Sequence, residues 1–145
     1  MPPGSSTETF VALRLLVDSW RWAEVPFYLR TGKRLPKRAT EIAITFKRMP
    51  HLLFAEAADV PFLEPNVLSI RIQPNEGMNL KFLTKAPGSP FRIRPANMDF
   101  LYSASFLAQA PSAYETLLLD AFRGDTTLFA RSDEVDAAWN IVQPV

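Results

Sequence analysis

Between Arg30 and Arg48 the chain places Arg30, Lys33, Arg34, Lys37, Arg38, Lys47 and Arg48 against a single acid, Glu41. A cluster of one sign attracts phosphates and other anions. Its densest part reads Arg30-Thr31-Gly32-Lys33-Arg34-Leu35-Pro36-Lys37-Arg38. Gly32 is expected to let the backbone turn sharply. Lys33 follows at once, and Arg38 comes five residues later, across Pro36. A rigid turn presenting an ammonium and a guanidinium suits a phosphate monoester, because the guanidinium can hold two oxygens and the ammonium adds a point charge. The same run could equally be a solvated loop between strands, and spacing alone does not choose between the two.

The other reactive residue types offer less. His51 is the single histidine; it follows Pro50 and has no Asp or Ser companion nearby, so it reads as a lone surface or partly packed side chain rather than a general base. With no cysteine and one histidine, thiolate zinc sites, iron–sulfur clusters, Cys nucleophiles and two-histidine metal motifs are excluded. The serines and threonines form no nucleophile elbow, and no pair of carboxylates stands out as an acid/base couple. Gly4, Gly32, Gly77, Gly88 and Gly124 lie too far apart for a dinucleotide-binding loop. The expected catalytic and metal residues within these 145 positions are therefore none.

The net charge of +1 conceals an uneven distribution. Residues 1–50 carry nine basic and four acidic side chains, whereas residues 105–145 carry two basic and six acidic. The sequence pI of about 8.1 falls below that of typical nucleic-acid-binding domains and no RNA-binding signature is present, so no nucleic-acid partner is expected. Hydrophobic residues at 48% and charged residues at 21% exclude a disordered tail, which lacks the apolar content to offset its ordering entropy. No apolar run approaches the ~18 residues needed to cross a bilayer. The start, Met1 to Ser6, has neither the basic nor the apolar part of a signal peptide. A cytoplasmic, membrane-free chain is expected, with residues 1–8 as a flexible leader and 9–145 as one domain.

Several elements must position the basic turn. Thr9 to Val17 is β-branched and apolar apart from Arg14, and period alone allows strand or helix. Pro26 to Thr31 reads as a strand that Gly32 breaks. Glu41 to Lys47 alternates, with Ile42, Ile44 and Phe46 on one side. Val67 to Gln73 and Met78 to Lys85 alternate likewise around Pro74-Asn75-Glu76-Gly77 and are expected to pair as an antiparallel hairpin. Pro50 to Pro65 reads as a long loop, Pro87 to Pro90 as a turn, and Phe91 to Ser103 as extended. Ser112 and Glu115 then have capping-box spacing, Tyr114, Leu117, Leu118 and Ala121 recur at helical period, and Gly124 supplies a stop. A second helix is expected from Ser132, with Asp133 and Glu134 in its first turn. Strands first and helices last predict an α+β fold: a large, mostly antiparallel sheet with helices packed on one face.

The stretch WRWAEVPFYLRTGKRLPKR (20–38) strongly resembles the C-terminal half of glucose-6-phosphate dehydrogenases. The resemblance continues in family order through EIAITFKR (41–48), PNVLSIRIQPNEG (65–77), AYETLLLDAFRGD (113–125) and FARSDEVDAAW (129–139). It implies an enzyme that oxidises glucose 6-phosphate to 6-phosphogluconolactone with NADP in the pentose phosphate pathway, as a homodimer assembled through the sheet. It also implies that the coenzyme-binding Rossmann domain and the catalytic histidine precede this segment, and that His51 does not correspond to that histidine. By resemblance, Lys33 and Arg38 bind the sugar phosphate. Some family members hold a second, structural NADP near positions matching Arg30, Arg71, Lys81 and Arg131. Asn79 and Ala39 depart from that pattern, and the aromatic tail is missing after Val145, so the second site is expected to be absent here. Taken alone, the chain is expected to be inactive. A non-catalytic dimerisation or phosphate-binding module is the alternative reading.

Overall fold

The computed structural model describes residues 4–49, 64–88, 92–106 and 112–145. His51 and nearly all of the stretch expected as a loop from Pro50 to Pro65 lie outside them, as does the second half of the expected Pro87–Pro90 turn. The described chain falls into two compact units, Met1–Tyr102 and Ser103–Val145.

The first unit is all antiparallel. β1 (Phe10–Leu16) and β2 (Pro26–Gly32) form a two-stranded ribbon. β3 (Thr40–Thr45), β4 (Val67–Gln73), β5 (Gly77–Lys85) and β6 (Ile93–Leu101) form a four-stranded sheet in chain order. The Thr9–Val17 ambiguity is resolved by pairing: Leu13 sits opposite Leu29 and Leu15 opposite Phe27, which puts these four apolar side chains on one face. At the closed end of this ribbon a single 3-10 turn, Trp20–Trp22, brings Trp22 edge-on to Phe27 with ring centroids 5.2 Å apart. Such a pair adds about 0.5–1.5 kcal/mol beyond its area.

In the larger sheet the period-2 pattern sets the register. Ile42, Ile70, Met78 and Phe100 lie in one row across the four strands, and Ile44, Leu68, Leu80 and Met98 in the next. The opposite face carries Ala43, Ser69, Asn79 and Asp99 in one such row. A slip of one residue would exchange these faces. The expected β4–β5 hairpin forms, and its connection includes a cis Gln73–Pro74 bond. Gly77 is the buried start of β5: a β-carbon there would collide with the Phe100 carbonyl oxygen and lie 3.2 Å from the Leu101 side chain. Among the described residues no hydrophobic side chain is fully buried; Ile42 remains 52% exposed and Met98 61%. The apolar row is formed but not covered.

β6 ends where the chain enters α1 (Tyr102–Phe106), a short helix not anticipated from the extended reading of Phe91 to Ser103. The second unit contains α2 (Ala113–Arg123) and α3 (Ser132–Val142). The capping box forms as expected: Ser112 Oγ accepts from the Glu115 N–H at 3.3 Å and Glu115 accepts from the Ser112 N–H at 2.7 Å. Gly124 closes α2 in the left-handed conformation, φ 71°. At α3 the cap is Arg131, whose N–H donates to Glu134 at 3.1 Å.

Candidate phosphate-binding site

The basic turn begins where β2 ends. Gly32 pairs with Phe10, and one residue later the Lys33 N–H donates to the Thr9 carbonyl oxygen at 2.7 Å. The backbone at Lys33 is therefore tied to the entry of β1. Gly32 itself behaves differently from expectation. It belongs to β2 and has no positive φ; the sharp bend is made by Arg34, at φ 57°. Glycine is required at position 32 by close approach instead: a β-carbon there would lie 2.9 Å from the Thr9 carbonyl oxygen and 3.1 Å from the Phe10 ring.

Lys33, Arg34, Lys37 and Arg38 are all exposed on the β2–β3 connection. Among the described residues none of their side chains forms an ion pair or a hydrogen bond. The structure thus places Lys33 and Arg38 on one connection, with Lys33 fixed through its backbone and both charged heads open to a ligand.

Two cations of the larger sheet and one of the second unit have other engagements. Arg71 lies 3.6 Å from Asp99, which also accepts from Asn79 at 2.9 Å. Lys81 is bonded to Glu64; that hydrogen bond, reinforced by the ammonium charge, holds the Glu64 carboxyl below the usual carboxylate range. Arg131 grips Asp133 through two parallel bonds of 3.0 and 2.8 Å. Arg71, Lys81 and Arg131 are thus each paired with a carboxylate of their own chain. Among the described residues none of the glycines opens a helix, as a coenzyme's phosphate-cradling loop would.

Over residues 1–145 the chain matches the family described as Glucose-6-phosphate dehydrogenase, C-terminal domain. The chain belongs to that family. It is 53% identical to the glucose-6-phosphate 1-dehydrogenase of Aggregatibacter actinomycetemcomitans, over 100% of this chain and 28% of that protein. The corresponding enzyme of Treponema pallidum is 49% identical, over 99% of this chain and 28% of its own length. Among solved structures, a glucose-6-phosphate dehydrogenase in complex with its substrate glucose-6-phosphate superposes with a TM-score of 0.82 at 36% identity, covering 94% of this chain and 27% of the other. The Mycobacterium avium enzyme gives 0.78 at 39% identity, covering 98% and 29%. The chain therefore spans between a quarter and a third of these relatives, and its α+β, antiparallel architecture is that of the family. Among the described residues no helix is long and apolar enough to cross a membrane.

Two features escaped the sequence. The left-handed residue is an arginine, and nothing in Lys-Arg-Leu signals it. The glycine two positions before it suggested a turn because a packing glycine and a turn glycine are the same letter.

Proposed function

We propose that this chain forms the sugar-phosphate-recognising part of an NADP-dependent glucose-6-phosphate dehydrogenase, with Lys33 and Arg38 contacting the substrate phosphate. The observation that carries this reading is the basic turn itself: cations held by a fixed backbone and left uncommitted, in a chain whose structural neighbour is a substrate complex. In the complete enzyme, which this reading places in the cytoplasm, a coenzyme held outside these residues would supply the hydride-accepting chemistry. Neither the coenzyme loop nor the proton acceptor is drawn from these 145 residues. The part played here is to hold the phosphate, and with it the register of the sugar. Each charge-assisted hydrogen bond contributes roughly 1.5–3 kcal/mol, or about 10- to 150-fold in affinity.

The same reading includes a homodimer formed through the sheet, supported by a four-stranded surface that its own unit leaves exposed. Two measurements test the proposal. The isolated chain, incubated with NADP and glucose 6-phosphate, should form no NADPH; turnover that survives repurification would contradict the division of labour. Sedimentation equilibrium should give a defined dimer mass, and a monomer at high micromolar concentration would count against the sheet interface.

A further inference from the structure

We propose that Arg34 is a positioning residue whose left-handed backbone, rather than its charge, aims Lys33 at the phosphate. The inference deepens the sugar-phosphate reading and rests on it.

Two constraints meet on either side of Lys33. On the N-terminal side, Gly32 is pressed against Thr9 and Phe10, and the Lys33 N–H is anchored to the Thr9 oxygen at 2.7 Å. On the C-terminal side, Arg34 at φ 57° reverses the chain. Pro36 then biases Leu35 toward an extended backbone. With the amide fixed before it and the reversal fixed after it, the Cα–Cβ direction of Lys33 is set by its neighbours. A residue bearing a β-carbon disfavours the left-handed region, and β-branched residues disfavour it most. Such strain concentrates where a surrounding structure over-determines it, commonly at binding sites. The guanidinium of Arg34 meanwhile forms no ion pair or hydrogen bond among the described residues, so no contact of its side chain accounts for the conformation. Glu24, at φ 61°, is the second non-glycine residue in this region; it lies at the opposite, closed end of the same two strands and provides a matched control.

The experiment uses the full-length enzyme carrying this chain and measures kcat and KM for glucose 6-phosphate and for glucose. Arg34→Val should raise KM for glucose 6-phosphate by about tenfold, with kcat within about twofold and KM for glucose nearly unchanged. Arg34→Gly and Arg34→Asn, which lack the guanidinium but accept the left-handed backbone, should keep a near-parental KM. Glu24→Val should lower the melting temperature without moving the ratio of the two KM values. Where Arg34→Val fails to fold, Arg34→Ala against Arg34→Gly carries the same comparison. If Arg34→Gly raises KM as much as Arg34→Val, charge is the operative property and the proposal is overturned. If Lys33→Ala raises KM while Arg34→Val does not, the proposal fails and the phosphate reading stands. If Lys33→Ala itself has no effect, both fall.

Discussion

The β1–β2 ribbon and the four-stranded sheet are built from the same kinds of residue and use them in opposite ways. Each has a glycine pressed against a neighbouring strand: Gly32 against Thr9 and Phe10, and Gly77 against Phe100 and Leu101. Each also carries cations on its surface. In the sheet two of those cations are paired with nearby carboxylates, Arg71 with Asp99 and Lys81 with Glu64. In the connection that leaves the ribbon, Lys33, Arg34, Lys37 and Arg38 have no such partner among the described residues. A charge paired within its own fold contributes little beyond solubility and register. A charge held by a rigid backbone without a partner is available to a ligand. The difference lies less in residue type than in which neighbours the strand register supplies.

The two glycines give the sharpest way to break this comparison. Gly77→Ala should cost about 3 kcal/mol or more, because its β-carbon meets backbone that two paired strands hold in place. Chemical denaturation reads this directly, and a loss below about 1 kcal/mol would mean that β6 can yield. Gly32→Ala should cost less, about 1–3 kcal/mol, since its nearest contacts, 2.9 and 3.1 Å, are less severe. Unlike Gly77→Ala, it should also raise KM for glucose 6-phosphate, because Lys33 shares the displaced backbone.

The helices sharpen the contrast between local and non-local control. Ser112→Ala should cost about 1 kcal/mol of stability, since it removes the acceptor for the Glu115 N–H. It should leave both KM values unchanged, as Ser112 carries neither of the charges proposed to hold the phosphate.

Much of this was legible in advance, and for identifiable reasons. Leu68, Ile70 and Ile72 alternate because β4 exposes two unlike faces, and Ser112 with Glu115 spells a cap because the reciprocal bonds are local. Lys33 and Arg38 were legible as a charge cluster, since charge needs no geometry to be noticed. What could not be read depends on distant parts of the chain. The strand identity of Phe10–Leu16 requires β2 as a partner, and the packing role of Gly32 requires Thr9. The helix at Tyr102–Phe106 follows directly from β6 in a run of aromatic and small residues that suits either state. The left-handed Arg34 has no sequence signature at all.

The smallest expected effect concerns the paired carboxylate. Hydrogen bonding to Lys81, followed by its charge, holds the Glu64 carboxyl below its ordinary 4.5. A depressed folded value adds stability that is fully present above the unfolded value and fades as pH falls through the folded one. Wild type should therefore exceed Glu64→Gln slightly at about pH 6, and the gap should close on acidification below the ordinary value. Salt should narrow it as well, because the pair is exposed. A gap that widens toward acid would reverse the assigned sign.

The most direct test compares one cation from each region in a full-length glucose-6-phosphate dehydrogenase carrying this domain. KM for glucose 6-phosphate and for glucose would be measured for Lys33→Ala and Lys81→Ala. Lys33→Ala should raise KM for glucose 6-phosphate by about 10- to 150-fold and change that for glucose far less, because glucose presents no phosphate. Lys81→Ala, which leaves the Glu64 carboxylate without its partner, should leave both constants near their parental values. Equal weakening of both substrates by Lys33→Ala, or a matching loss with Lys81→Ala, would contradict the division between committed and available charge.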